Sequence, residues 1–116
     1  MVVKPEEILV VTTENVPGYR VSRVLGEVFG VTSRSRHMFS TMGAGFKAMV
    51  GGELGAFTKL LEETRSEAIL RMRVNAANMG ANAVVMMRFD TESMASTAGG
   101  TVAFGTAVIL EPISQA

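Results

Sequence analysis

The sequence predicts an α+β domain, a four-stranded antiparallel or mixed sheet covered on one face by a short and a long helix, in the order β-β-α-α-β-β. Three observations carry this. Glu53 to Met79 repeats its apolar residues with a helical period. Runs of β-branched or alternating residues lie on both sides of that segment. Glycines and prolines stand at the joints, where turns and helix ends need them.

Ile8 to Thr13 follows Pro5 and is rich in β-branched residues, so it predicts the first strand. Pro17-Gly18 then predicts a type II turn, with proline fixing φ and glycine taking a positive φ. Tyr19 to Val31 predicts a second, long strand with a bulge or bend, because it contains Gly26 and Gly30. Thr32 to His37 reads as a basic loop entering a short, weakly helical run from Met38 to Val50. Gly51-Gly52 separates that run from the long helix.

At about 100° per residue, Leu54, Phe57, Leu60, Leu61, Thr64, Ala68, Met72, Ala76 and Met79 share one arc of the long helix. Lys59, Glu62, Glu63, Ser66 and Glu67 lie opposite, and Glu67 and Arg71 are spaced to pair four residues apart. The second half differs, because Leu70, Val74 and Ala77 place apolar groups on the back of the helix as well. A helix apolar on two faces needs two covers, and in a chain this short the second cover is expected to be another copy. Gly80 stops the helix. Ala83 to Asp90 is the third strand, with Ala83, Val85, Met87 and Phe89 expected on one face and Val84, Met86, Arg88 and Asp90 on the other. Asp90 to Gly100 reads as a hairpin loop. Thr101 to Leu110 is the last strand, whose small Ala103, Gly105 and Ala107 make the face on which the long helix is expected.

With 116 residues the chain is read as a single domain, 1–116. Eleven basic and eleven acidic residues leave no net field to attract nucleic acid or an anionic membrane. A hydrophobic content of 47% is high for so small a chain and again points to self-association. The longest purely apolar run, Ala83 to Met87, is far below the roughly 18 residues of a membrane span. The N-terminal residues show no secretory pattern, so a cytoplasmic protein is expected. Cysteine is absent, which excludes disulfides, thiolate catalysis and cysteine-based metal sites.

No motif amounts to a catalytic framework. Arg34, Arg36 and His37 have the donors to hold an anion but read as a solvated loop. The nine methionines carry sulfur suited to copper(I), yet their spacings match the helix and strand periods of a core. Asp90 and Glu92 share a strand face and, joined by Glu53 or His37 from a second subunit, form a candidate site for a divalent ion. Gly43 to Ala48 fits G-x-G-x-x-A but lacks the preceding strand that the dinucleotide fingerprint requires. The serines near His37 lack any nucleophile framework.

Gly51-Gly52, the Lys59 to Ala68 run KLLEETRSEA, and Gly80-Ala81-Asn82-Ala83-Val84-Val85 resemble the YbjQ-like family, whose members carry a heavy-metal-binding label. Thr12-Thr13, Gly18-Tyr19 and Gly105 to Val108 extend the resemblance over nearly the whole chain, and Val31 to Met49 is its least similar part. The resemblance implies a subunit of dodecin-like type assembling as a homopentamer, with two rings able to stack. Together these readings lead to a non-enzymatic homo-oligomer whose interface includes Leu70, Val74 and Ala77 and whose inter-subunit grooves take a small ligand or a divalent or soft metal ion. The alternative is an enzyme with an active site composed at the subunit interface, with His37, Arg36 and Asp90 as first suspects. A partner-binding or regulatory ring is the third class.

Overall fold

The computed structural model describes residues 3–35, 55–91 and 98–114. A 3-10 turn at Pro5–Glu7 leads into β1 (Leu9–Val10). β2 (Tyr19–Ser35), α1 (Gly55–Asn78), β3 (Ala83–Thr91) and β4 (Ala98–Pro112) follow. The four strands form one sheet in the spatial order β1-β3-β4-β2. β1 runs parallel to β3, and β4 pairs antiparallel with both its neighbours, so the expected α+β class is realised with a mixed sheet. The short helix expected at Met38–Val50 lies outside the described residues.

The turn before β2 forms as its residues dictate. Gly18 has a φ of 84° and the Tyr19 amide donates to the Val16 carbonyl at 3.0 Å, closing a type II turn around Pro17-Gly18. β2 pairs with β4 along its whole length, from Tyr19 opposite Pro112 to Ser35 opposite Ala98, with register shifts between Val21 and Arg23 and between Val24 and Gly26. The bend thus falls at Gly26 and not at Gly30. The strand also continues past Val31, so Thr32 to Ser35 belong to it and not to a loop. The reason is on the partner strand, where Ala98, Gly99 and Gly100, expected in a loop, supply the matching rungs.

Gly30 serves a different purpose, the seating of α1. A Cβ there would run into the Ala68 carbonyl oxygen and the Met72 backbone, so the helix rests directly on the β2 main chain. Ala103 and Ala107 of β4 are completely buried beside it, as the small-residue face predicts. On the helix, Leu60, Thr64, Ala68, Met72 and Ala76 are buried. These positions, four apart, trace one diagonal ridge of side chains, which packs mainly on β2 and secondarily on β4. α1 ends at Asn78, and Gly80 follows at a φ of 86°, as the stop signal predicts.

Two expectations for the strands need correction. β1 is regular over two residues only, not from Ile8 to Thr13, and β3 does not alternate cleanly. Val85 pairs with Thr106 and Arg88 with Phe104, so Met86 and Met87 together oppose Gly105. Met86 takes a φ of 58°, a position that costs a side chain on the order of 1 kcal/mol or more. Past this bulge the faces exchange. Met87 and Phe89 join Val84 in the main core under the helix, whereas Ala83 and Val85 pack with Val108 and Leu110 on the opposite face, against Val11 and Val16. The bulge explains β1 as well. Beyond Val10 the chain bonds to the irregular stretch, the Met87 amide donating to the Val11 carbonyl at 3.0 Å and the Met86 amide to that of Thr13 at 3.1 Å. Arg88 Nη1 ties the same segment down, donating to the Thr12 carbonyl at 2.9 Å.

Replacing Gly30 by alanine is expected to lower stability by about 3 kcal/mol, because backbone and not a flexible side chain occupies the space. Urea unfolding at fixed protein concentration measures it. A loss below about 0.5 kcal/mol would mean that α1 is not seated on β2 at this point.

Candidate functional site

β2 is an edge strand, and α1 lies along it. In an antiparallel edge strand alternate residues turn their amide and carbonyl groups outward. Here the helix supplies donors to those carbonyls. Asn75 Nδ2 donates to the Phe29 carbonyl at 2.7 Å, and Arg71 Nη1 to the Val31 carbonyl at 2.8 Å. The other guanidinium nitrogen of Arg71 meets Glu67 at 2.7 Å, the pair expected from their spacing. Arg71 thus joins the helix surface to the strand edge.

The side chains at this edge are apolar and uncovered. Phe29 and Val31, which alternate with the helix-facing Val28, Gly30 and Thr32 and so project from the face of the sheet away from α1, are 46% and 53% exposed, and on the outer face of α1 Leu70 and Val74 are 54% and 39% exposed. Phe29, Val31, Arg71, Val74 and Asn75 line an open groove of about 360 Å³. Its chemistry is an apolar bed with one guanidinium and one amide, both already bonded to the strand. That arrangement suits a packed surface. Its described walls hold neither a nucleophile nor a general base.

Of the residues singled out in the sequence, Leu70 and Val74 stand together on this outer surface, 54% and 39% exposed. Ala77 is placed differently: it is half-buried and packs against the main core of its own chain. Asp90 sits exposed on β3, opposite Val102, while Glu92, His37 and Arg36 lie outside the described residues. Among the described residues no three His, Asp or Glu side chains are grouped to hold a metal ion, and no helix among them is long and apolar enough to cross a membrane. Phe29 and Val31 were not among the expected site residues. Their signal is present in the sequence: Val28, Phe29 and Val31 are apolar on both faces of one strand, and a strand of that pattern is either central or covered by something else.

Comparison with known proteins finds relatives over nearly the whole chain. Residues 8–111 match a YbjQ-type family model described as "Putative heavy-metal-binding". A UPF0145 protein of Lactobacillus johnsonii is 55% identical over 103 residues, covering 89% of this chain and 94% of the relative. One from Streptomyces griseus is 51% identical over 107 residues, covering 92% and 88%. The UPF0145 protein YjfJ of Lactococcus lactis is 52% identical over 108 residues, covering 93% and 99%. Among solved structures, a DUF74-family protein of unknown function from Pediococcus pentosaceus superposes with a TM-score of 0.60 at 11% identity, covering 90% of this chain and 98% of that one, a likeness of fold.

The two helix-to-edge hydrogen bonds are separable by substitution. Arg71→Met keeps the apolar stem and Asn75→Ala removes the amide; each is expected to cost about 1 kcal/mol in urea unfolding, the usual net value of one such bond. Stabilities equal to the parent chain in both variants would show that water serves the β2 carbonyls equally well.

Proposed function

We propose, since the chain belongs to the YbjQ-like family of UPF0145 proteins, that it works as a non-enzymatic homo-oligomer, a ring of five subunits able to stack in pairs, that binds a small ligand or metal ion between subunits. The observation that carries the reading is the exposed apolar side chains on both sides of the β2 edge, Leu70 and Val74 on the outer face of α1 and Phe29 and Val31 on the face of the sheet away from it. Monomeric proteins seldom leave such a patch in water, and closing it off is worth on the order of 1 kcal/mol per half-exposed side chain.

The unequal edges of the sheet support a ring. β1 is two residues long and β2 seventeen. Among the described residues β1 presents a smaller apolar surface, with Leu9 exposed, so the natural partner of the β2 side is a different surface of the next copy. Contacts of that head-to-tail kind close into cycles when the rotation between copies allows it. The same arrangement protects the long edge strand from unspecific pairing. In this reading the groove becomes an inter-subunit space, and function lies in what that space admits. A metal ion is part of the proposal through the family description alone, with Asp90, Glu92 and His37 as its candidate ligands.

A double substitution, Leu70→Glu with Val74→Glu, places two charges on the outer face of α1 while leaving its buried ridge untouched. Sedimentation of this variant at micromolar concentration is expected to show dissociation to smaller species with the helical signal retained. An unchanged assembly would move the interface elsewhere, and a parent chain that sediments as a monomer would end the ring reading.

A further inference from the structure

At the end of the sheet farthest from the type II turn, hydroxyl groups lie under α1. Thr32 of β2 and Thr101 of β4 are register partners, and both are buried, 1% and 5% exposed. Residues opposed in this way carry their Cβ atoms about 4.5–5.5 Å apart on one face. Among the described residues Thr32 Oγ1 has no hydrogen-bond partner, whereas the buried Thr64 of α1 donates its hydroxyl to the Leu60 carbonyl at 2.7 Å. Leaving such a group unmet costs about 1–3 kcal/mol, so the position calls for a partner.

Thr101 also lines an open cleft of about 440 Å³ whose other described walls are Thr58, Leu61, Glu62 and Arg65 of α1. The Arg65 guanidinium is held over the Phe89 ring, 5.0 Å from its centroid, and among the described residues no carboxylate pairs with it. One positioned guanidinium with spare donors, beside a buried hydroxyl pair, is a recognition set for oxygen anions.

We propose that this cleft binds a small molecule through an oxyanion head, carboxylate or phosphoryl. Arg65 is the charge partner and the Thr101 hydroxyl the donor at the cleft wall. Thr32 is a positioning residue that gains its missing bond when the Thr101 side chain rotates toward the ligand and brings its Oγ1 within reach of the Thr32 hydroxyl. Glu62 in the same wall opposes an anion and holds the affinity down. The site lies within one subunit and stands apart from the ring reading.

Nuclear magnetic resonance titration of the full chain tests it, with inorganic phosphate and with succinate in separate series at constant ionic strength. Saturable shifts at the Arg65 side chain and the Thr101 amide are expected with at least one probe, and the active probe identifies the head group. Arg65→Gln is expected to weaken binding roughly tenfold or more, the scale of a charge-assisted hydrogen bond, with Arg65→Lys keeping part of it. Glu62→Gln is expected to tighten it. Thr32→Val is expected to weaken binding while the free protein becomes no less stable, since an unmet hydroxyl is replaced by a methyl group of like size. Absence of saturable shifts with both probes, or equal affinity in Arg65→Gln, would overturn the proposal.

Discussion

The missing side chain at Gly30 is the constraint from which the arrangement follows. It brings the backbone of α1 against the backbone of β2 at Ala68 and Met72. Once that contact is made, Met72 and Ala76 face the sheet. Arg71 and Asn75 then reach the strand edge, where the Val31 and Phe29 carbonyls accept from them. Leu70 and Val74 are left pointing away from the core, and among the described residues no second layer receives them. The buried ridge and the exposed outer face are thus two consequences of one close approach.

The sheet adds a second imbalance. Seventeen residues of β2 make a ribbon of about 56 Å, against about 36 Å for a helix of 24 residues, so α1 cannot cover it from end to end. At the other edge the bulge at Met86 and Met87 draws Val11 to Thr13 onto β3, and Arg88 secures the segment. Among the described residues, one edge is therefore closed by its own chain and the other is capped at its carbonyls by Arg71 and Asn75. A surface plan this asymmetric is consistent with contacts between unlike faces of successive copies.

Much of this was legible in the residues. The turn at Pro17-Gly18, the stop at Gly80, the buried stripe of α1 and its place over Ala103 and Ala107 follow from local rules that the tertiary structure does not override. The exposed position of Leu70 and Val74 was legible too, because a helix apolar on two sides has no other solution within one layer. What local rules miss is set by partners distant in sequence. Alternation in β3 fails at Met86 because Gly105, nineteen residues later, lets the bulge form (105 − 86 = 19). Ala77 looks outward on a helical projection yet finds the core of its own chain. The exposure of Phe29 and Val31 is not legible locally, because nothing in a strand's own residues says that it will be an edge. The hydroxyl pair of Thr32 and Thr101 depends on a register that only the folded sheet reveals.

In the proposed ring, the apolar surface beside β2 is covered by another copy of the chain. The most direct measurement is a native mass spectrum of the protein purified without chelator, which reports subunit number and any retained ligand mass together. A five-subunit species, or its double, is the predicted result. A spectrum containing only the single chain under conditions that preserve known assemblies would contradict the account.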